Sequence, residues 1–229
     1  MPLFGMLMAA RSLSALSKRS DVMQNNLANQ ATEGFKFDRI IAGFDPATGV
    51  PSLARTTDLS QGSLLQTDNP FHMALRGPGF FVIDTPNGER LTRNGSFQLI
   101  NGALVDHANH PLLGDKGPVV VSGEVLELGA DGTVMVDGEV VNRIRMVDVE
   151  GIAQLNKDGV SLFTFNDPLV PVNVAETQLV QGHVEESNMN AISGVGDMIE
   201  IQRNFALTMG ALQTLDSSLE KITNNVGQV

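Results

Sequence analysis

QNNLANQATEGFKF, residues 24–37, is where the character of this 229-residue chain changes. Counting back from Leu27 by alternate fours and threes meets Met23, Ser20, Leu16, Leu13, Ala9 and Met6, and only Ser20 is polar. Beyond Phe37, glycine and proline come too often for any long helix: Gly43, Pro46, Gly49 and Pro51 fall within nine residues. A repeat of 3.5 residues predicts a helix that packs through a narrow seam, and the seam is too narrow to be one face of a globular core. The same rule applied near the C-terminus gives Met198, Ile201, Phe205, Thr208, Leu212, Leu215, Leu219, Ile222 and Val226, with only Thr208 polar.

Between these two helices the period shortens. FFVIDT (80–85), PNGE (86–89) and RLTRNGSFQLI (90–100) read as strand, turn and strand, with Asn87-Gly88 as the hairpin signal. GPVVVSG (117–123), GTVMVDGEVVNRIRMVDV (132–149) and VSLFTF (160–165) continue the pattern, punctuated by Asp-Gly turns. The expected fold is therefore α+β. Residues 1–30 and 190–229 form a discontinuous helical coiled-coil domain, 31–65 an extended connector with a short hairpin at most, and 66–189 a mainly antiparallel β domain. Isolated helices need tertiary contacts to be stable in water, so the expected protease-resistant core lies near residues 40–185.

Charge follows the same division. Residues 1–39 hold five Lys/Arg against three Asp/Glu, while residues 40–190 hold eight against nineteen and contribute the whole of the net −11. No basic stripe exists to neutralise a run of phosphates, which argues against nucleic acid as a partner. No stretch approaches the roughly 20 apolar residues of a membrane-spanning helix. The first twenty residues, basic, serine-rich and free of acids, have the profile of a targeting peptide. A seam partner at the far end of the chain argues instead that they belong to the fold.

No constellation for catalysis, cofactor or metal emerges. The chain has no cysteine, and His107 and His110 in HANH have no third ligand nearby. Asp131 to Asp137 lacks the alternating oxygens and closing glutamate of a calcium loop. RGPGFF (76–81) has neither dinucleotide spacing nor a phosphate-loop lysine, so a turn at a strand entry explains its glycines better.

Taken together, NNLAN followed by GFK, a β region carrying GPGFF and TRNGSF, and GHVEESNMNAISGVGDMIEIQR opening the last helix resemble the bacterial flagellar axial proteins. The basal-body rod proteins of the proximal type are the nearest match, with distal rod or hook subunits as the alternative. The resemblance spans residues 6–39, 76–114 and 181–222. It implies a structural, non-enzymatic subunit of the periplasmic rod, exported by the flagellar type III apparatus without cleavage of a signal peptide. Its implied partners are copies of itself, other rod proteins and the export apparatus. Two departures stand out: QATEG (30–34) lacks the proline common before that glycine, and Phe205 stands near a usual tyrosine.

On this reading the assembly interface is the two seams, Met6, Leu13, Leu16, Met23 and Leu27 with Met198, Ile201, Phe205, Leu212, Leu215, Leu219 and Ile222. Asn25, Asn26 and Asn29 are expected to add to it. Asparagine is a poor choice for a helix interior, and a polar group at an interface fixes register where a smooth seam slides. Asn25 and Asn26 are thus expected to bond across helices to neighbouring subunits, whereas Asn29 also suits a helix end. A monomeric binding module with a closed intramolecular helix pair is the competing reading.

Overall fold

The computed structural model describes residues 2–45, 50–149, 155–165, 169–173 and 175–226. The chain divides into two units: residues 1–28, 38–56 and 190–229 form the first, and residues 29–37 and 57–189 the second.

The first unit is built on two long helices, α1 (Pro2–Ala28) and α2 (Ala191–Val226). Proline is accepted in the first turn of α1, where its missing N–H costs nothing. Asn190 caps α2, its Oδ1 accepting the amides of Ile192 and Ser193 at 3.0 and 3.1 Å. The helices run antiparallel. Ser20 Oγ lies 3.9 Å from Met198 Sδ, and at the other end a methyl on Gly5 would stand 3.5 Å from Leu215. The seam positions face inward, with Leu16 and Ile201 buried and Met6, Leu13, Met23, Leu27, Met198, Leu212, Leu215 and Leu219 half-buried. Phe205 departs from the pattern and is 41% exposed. The side chain of Ile222 lies outside the described residues.

Within the expected connector, which allowed a short hairpin at most, Asp38–Asp45 and Val50–Thr57 form a two-stranded pair. Its base is tied by an ion pair between Asp38 and Arg55. Asn26 holds it to α1: the Asn26 amide donates to the Asp38 carbonyl at 2.7 Å, and its Oδ1 accepts the Asp38 N–H at 2.9 Å. The asparagine thus imitates a strand partner, and it is fully buried. This corrects its expected role, because a side chain committed on both of its faces within its own unit is not bonding across to a neighbouring subunit. Asn25 is exposed and Asn29 half-buried.

α1 ends at Ala28, six residues before Gly34. A turn follows in which Asn29 O accepts the Thr32 amide at 3.1 Å.

The second unit is a β domain. Its largest sheet has six antiparallel strands in the order Leu155–Asp158, Leu162–Phe165, Gly88–Thr92, Phe80–Thr85, Met146–Asp148, Val170–Pro171. The Asn-Gly hairpin is present, with Thr85 paired to Gly88 and Gly88 at φ +98°. Phe80 to Ile83 are buried on both faces of this strand, which explains their unbroken apolar run. Phe81 and Ile83 enter a core with Phe97, Leu104 and Leu112, while Phe80 and Val82 enter a second with Leu91 and Phe163. Asp137 and Gly138, at φ +52° and +85°, make a two-residue turn of the kind that right-twisted hairpins favour. The ends of the unit pair with each other: Met73–Arg76 with Gln178–Gln181, and Leu64–Gln66 with His183–Glu185.

Substituting Asn26→Ala removes both bonds to the Asp38 main chain from a dry site. The expected loss is about 1–3 kcal/mol, read as a lower urea midpoint when helical circular dichroism is followed.

Candidate functional site: a buried ion cluster where three motifs meet

Three short motifs that share no periodicity, GFK (34–36), TRNG (92–95) and HVEES (183–187), converge in the second unit. One charged residue from each, Lys36, Arg93 and Glu185, is buried. Glu185 is the hub. Its Oε1 accepts Lys36 Nζ at 2.5 Å and the Gly62 amide at 2.9 Å, and its Oε2 accepts Arg93 Nη1 at 3.3 Å. Lys36 Nζ also donates to the Ser60 carbonyl at 2.6 Å, and Arg93 Nη2 to the Gly77 carbonyl at 2.7 Å. The Arg93 guanidinium lies 5.4 Å from the centre of the Phe80 ring. Two cations therefore share one carboxylate in a dry pocket, an arrangement stable only if nearly every donor finds an acceptor. Arg93 Nε alone among the described buried side-chain atoms has no partner.

The main chain around the cluster is equally committed. The Gly34 amide donates to the Glu185 carbonyl at 2.7 Å. Asn188 accepts the Phe37 amide through Oδ1 at 2.9 Å and donates through Nδ2 to the Asp58 and Ser60 carbonyls at 2.8 and 3.0 Å. Lys157 Nζ stands 3.9 Å from the centre of the buried Phe35 ring and donates to the Lys36 carbonyl at 2.6 Å. This is the cation–π contact of an ammonium on an aromatic face. Two glycines permit the approach: a methyl on Gly34 would fall 2.2 Å from the Asn94 nitrogen, and one on Gly95 1.5 Å from the Met73 carbonyl oxygen.

Burial is the dominant influence on both cations. Desolvation pulls the Lys36 ammonium below its ordinary 10.5, with Glu185 opposing the shift and Arg93 adding to it. Arg93 is lowered for the same first reason. Both oxygens of the buried Glu185 carboxylate are engaged by donors fixed in three separate segments of the chain. The arrangement is one that holds backbone segments together.

The expected seam residues lie on α1 and α2 in the first unit, whereas Lys36, Arg93 and Glu185 carry no seam signal. The one trace they leave in the sequence is charge set among glycine and aromatic residues, as in Gly34-Phe35-Lys36-Phe37. The histidine pair goes separate ways: His110 Nδ1 pairs with Asp106 at 3.0 Å and His107 Nε2 with Ser96 Oγ at 3.2 Å. Among the described residues no three His, Asp or Glu side chains could hold a metal ion together. Asp131 and Asp137 serve the turns, Asp131 accepting from Thr133 and Asp137 from the Glu124 and Val125 amides.

Residues 180–225, which include Glu185, Asn188 and nearly all of α2, match the family described as flagellar basal body rod FlgEFG protein C-terminal. Similarity extends well beyond that segment. The chain is 30% identical to the flagellar basal-body rod protein FlgF of Rhizobium meliloti (strain 1021), over 97% of this chain and 98% of the relative. It belongs to the flagellar basal-body rod protein family. The rod protein FlgF of Escherichia coli (strain K12) is 29% identical over 86% of this chain and 88% of its own. The flagellar hook-basal body complex protein FlhO of Bacillus subtilis (strain 168) is 26% identical over 98% and 99%. Rod proteins are structural components of the flagellar basal body, and the ion cluster is accordingly an architectural site of a structural subunit.

The expected core at residues 40–185 omits Phe35, Lys36 and Asn188, so a fragment cut there leaves Glu185 without its lysine. Among point variants, Glu185→Ala strands two buried cations and is expected to cost about 3–5 kcal/mol. Lys36→Met leaves Glu185 its bonds to Arg93 and Gly62, and costs less. The pH dependence separates them further. Lys36 binds its proton less readily folded than unfolded, so it weighs against folding at neutral pH, and that penalty is withdrawn as pH rises from the folded pKa towards 10.5. Wild-type protein should therefore gain on Lys36→Met in alkaline denaturant titrations.

Proposed function

We propose that this chain is a rod subunit that polymerises helically through α1 and α2, pairing them with those of neighbouring copies as a coiled coil. The observation that carries the reading is the incomplete cover of the two helices. They close over one seam in which most side chains are only half-buried, and they leave Phe4, Leu7, Ile192, Ile199 and Leu207 exposed. A fully buried side chain of this type is worth about 1.5–3 kcal/mol relative to an exposed one. A half-buried seam therefore keeps part of that stabilisation for assembly.

Several finer points follow the same reading. The subunit stands in the periplasmic rod, built from copies of itself and in contact with other rod proteins, and it reaches that place through the flagellar export apparatus. The seam shared by α1 and α2 supports retention of α1 in the working protein. The short β region between the helices supports a place in the proximal tier. Heterologous contact repeated along an axis gives an open filament in place of a closed ring.

Sedimentation of the full chain over a wide concentration range provides the test. Growth into elongated species is expected, and Leu13→Ser combined with Leu212→Ser should abolish it while amide exchange in Phe80–Thr85 stays slow. A strictly monomeric wild-type chain at high concentration would instead favour a closed helix pair and a binding-module role.

A further inference from the structure

Beside the seam, α1 and α2 leave a groove of about 360 Å³. Ser17, Ser20, Asp21 and Gln24 line one wall, and Ile201, Gln202, Phe205 and Ala206 the other. Its small side chains open it, its apolar wall is half-exposed Phe205, and Asp21 gives its mouth a negative charge. That volume lies at the low end of sites that bury a ligand and has room for a few side chains. On α1 itself, Phe4, Leu7 and Met8 form a ridge one turn long, exposed by 65%, 49% and 48%. Arg11 follows on the same side, three and four residues on from Met8 and Leu7, and residues 2–20 contain no acid. Ridge and groove are complementary in size, in apolar character and in charge. They do not meet within one chain. Leu7 and Ser20 are thirteen residues apart on one continuous helix, which places them about 20 Å apart along its axis.

We propose that the groove receives the Phe4-Leu7-Met8 ridge of a second copy of this chain, with Arg11 of the incoming helix facing Asp21. The proposal rests on the helical-assembly reading above and assigns its contact. Because ridge and groove are different surfaces, each copy has one of each free after a single contact, and the series stays open.

The absence of cysteine makes the test clean. A chain carrying both Leu7→Cys and Ser20→Cys is assembled, oxidised and run without reductant. A disulfide requires Cα atoms within about 7 Å, so the double variant should give a ladder of dimers, trimers and higher species that collapses on reduction, and each single variant nothing above a dimer. Asp21→Arg should raise the concentration for half-assembly about tenfold, in line with losing a close interface ion pair, and Arg11→Asp in the same chain should restore it. Polymer without a ladder would refute the contact and leave the assembly reading standing. A ladder only from Ile199→Cys with Ser20→Cys would refute it too, by placing the other exposed stripe in the groove. A double variant and a wild type that both stay monomeric would remove the reading on which the contact rests.

Discussion

The Glu185 carboxylate, shared between Lys36 and Arg93, is the constraint on which the β unit depends. Buried charge is costly, and one anion between two cations is tolerable here because the carbonyls of Ser60 and Gly77 take a further donor from each cation. The three residues come from distant parts of the chain: 149 positions separate Lys36 from Glu185, and 92 separate Arg93 from Glu185. The strands agree with this, since the first two of the unit pair with the last two. Closure of the unit is thus a late, non-local event in which loop entropy is spent before the contacts repay it. A chain built this way has no complete β unit until residues through Asn188 are available.

The first unit closes on a different principle. Its long-range order comes from apolar side chains at a repeating interval, with Leu16 and Ile201 at the centre, and from polar contacts that include the Asn26 amide on the Asp38 main chain. Asn26 answers the question raised by the asparagines near the end of α1. Alanine makes a better helix residue, but it has no amide to serve both the N–H and the C=O of a passing strand. Local propensity yields there to a tertiary bond that follows twelve residues later.

How much of this was legible follows from what periodicity encodes. Repeats of 3.5 and 2 record where apolar side chains are covered, so α1, α2 and the Asn87-Gly88 hairpin could be read directly. A charged residue, by contrast, reads as surface unless something says otherwise. Lys36, Arg93 and Glu185 looked like ordinary charges within motifs whose value lay in their resemblance to a family, and only the contacts reveal that one carboxylate joins them. Within 38–57 the short hairpin was within the reading, but nothing in its sequence says that Asp38 has a partner waiting on α1. Phe205 failed the seam rule because an interval predicts angle around a helix, not how closely the neighbouring helix approaches, and at that level the wall opposite is serine.

The two modes of closure bear on how such a subunit can polymerise without losing its identity. Polar contacts are directional and specific, so the Lys36, Arg93 and Glu185 cluster admits one arrangement and makes the β unit a fixed body. Apolar seams are forgiving, the more so where methionine supplies them, as at Met6, Met8, Met23, Met198 and Met209. A half-covered methionine or leucine can gain a new neighbour at little cost in geometry, whereas a buried carboxylate between two cations cannot exchange one partner for another without exposing a charge. On the proposed reading assembly falls to the helices, where added contacts only complete a burial already begun, while the charge cluster is already committed within its own unit.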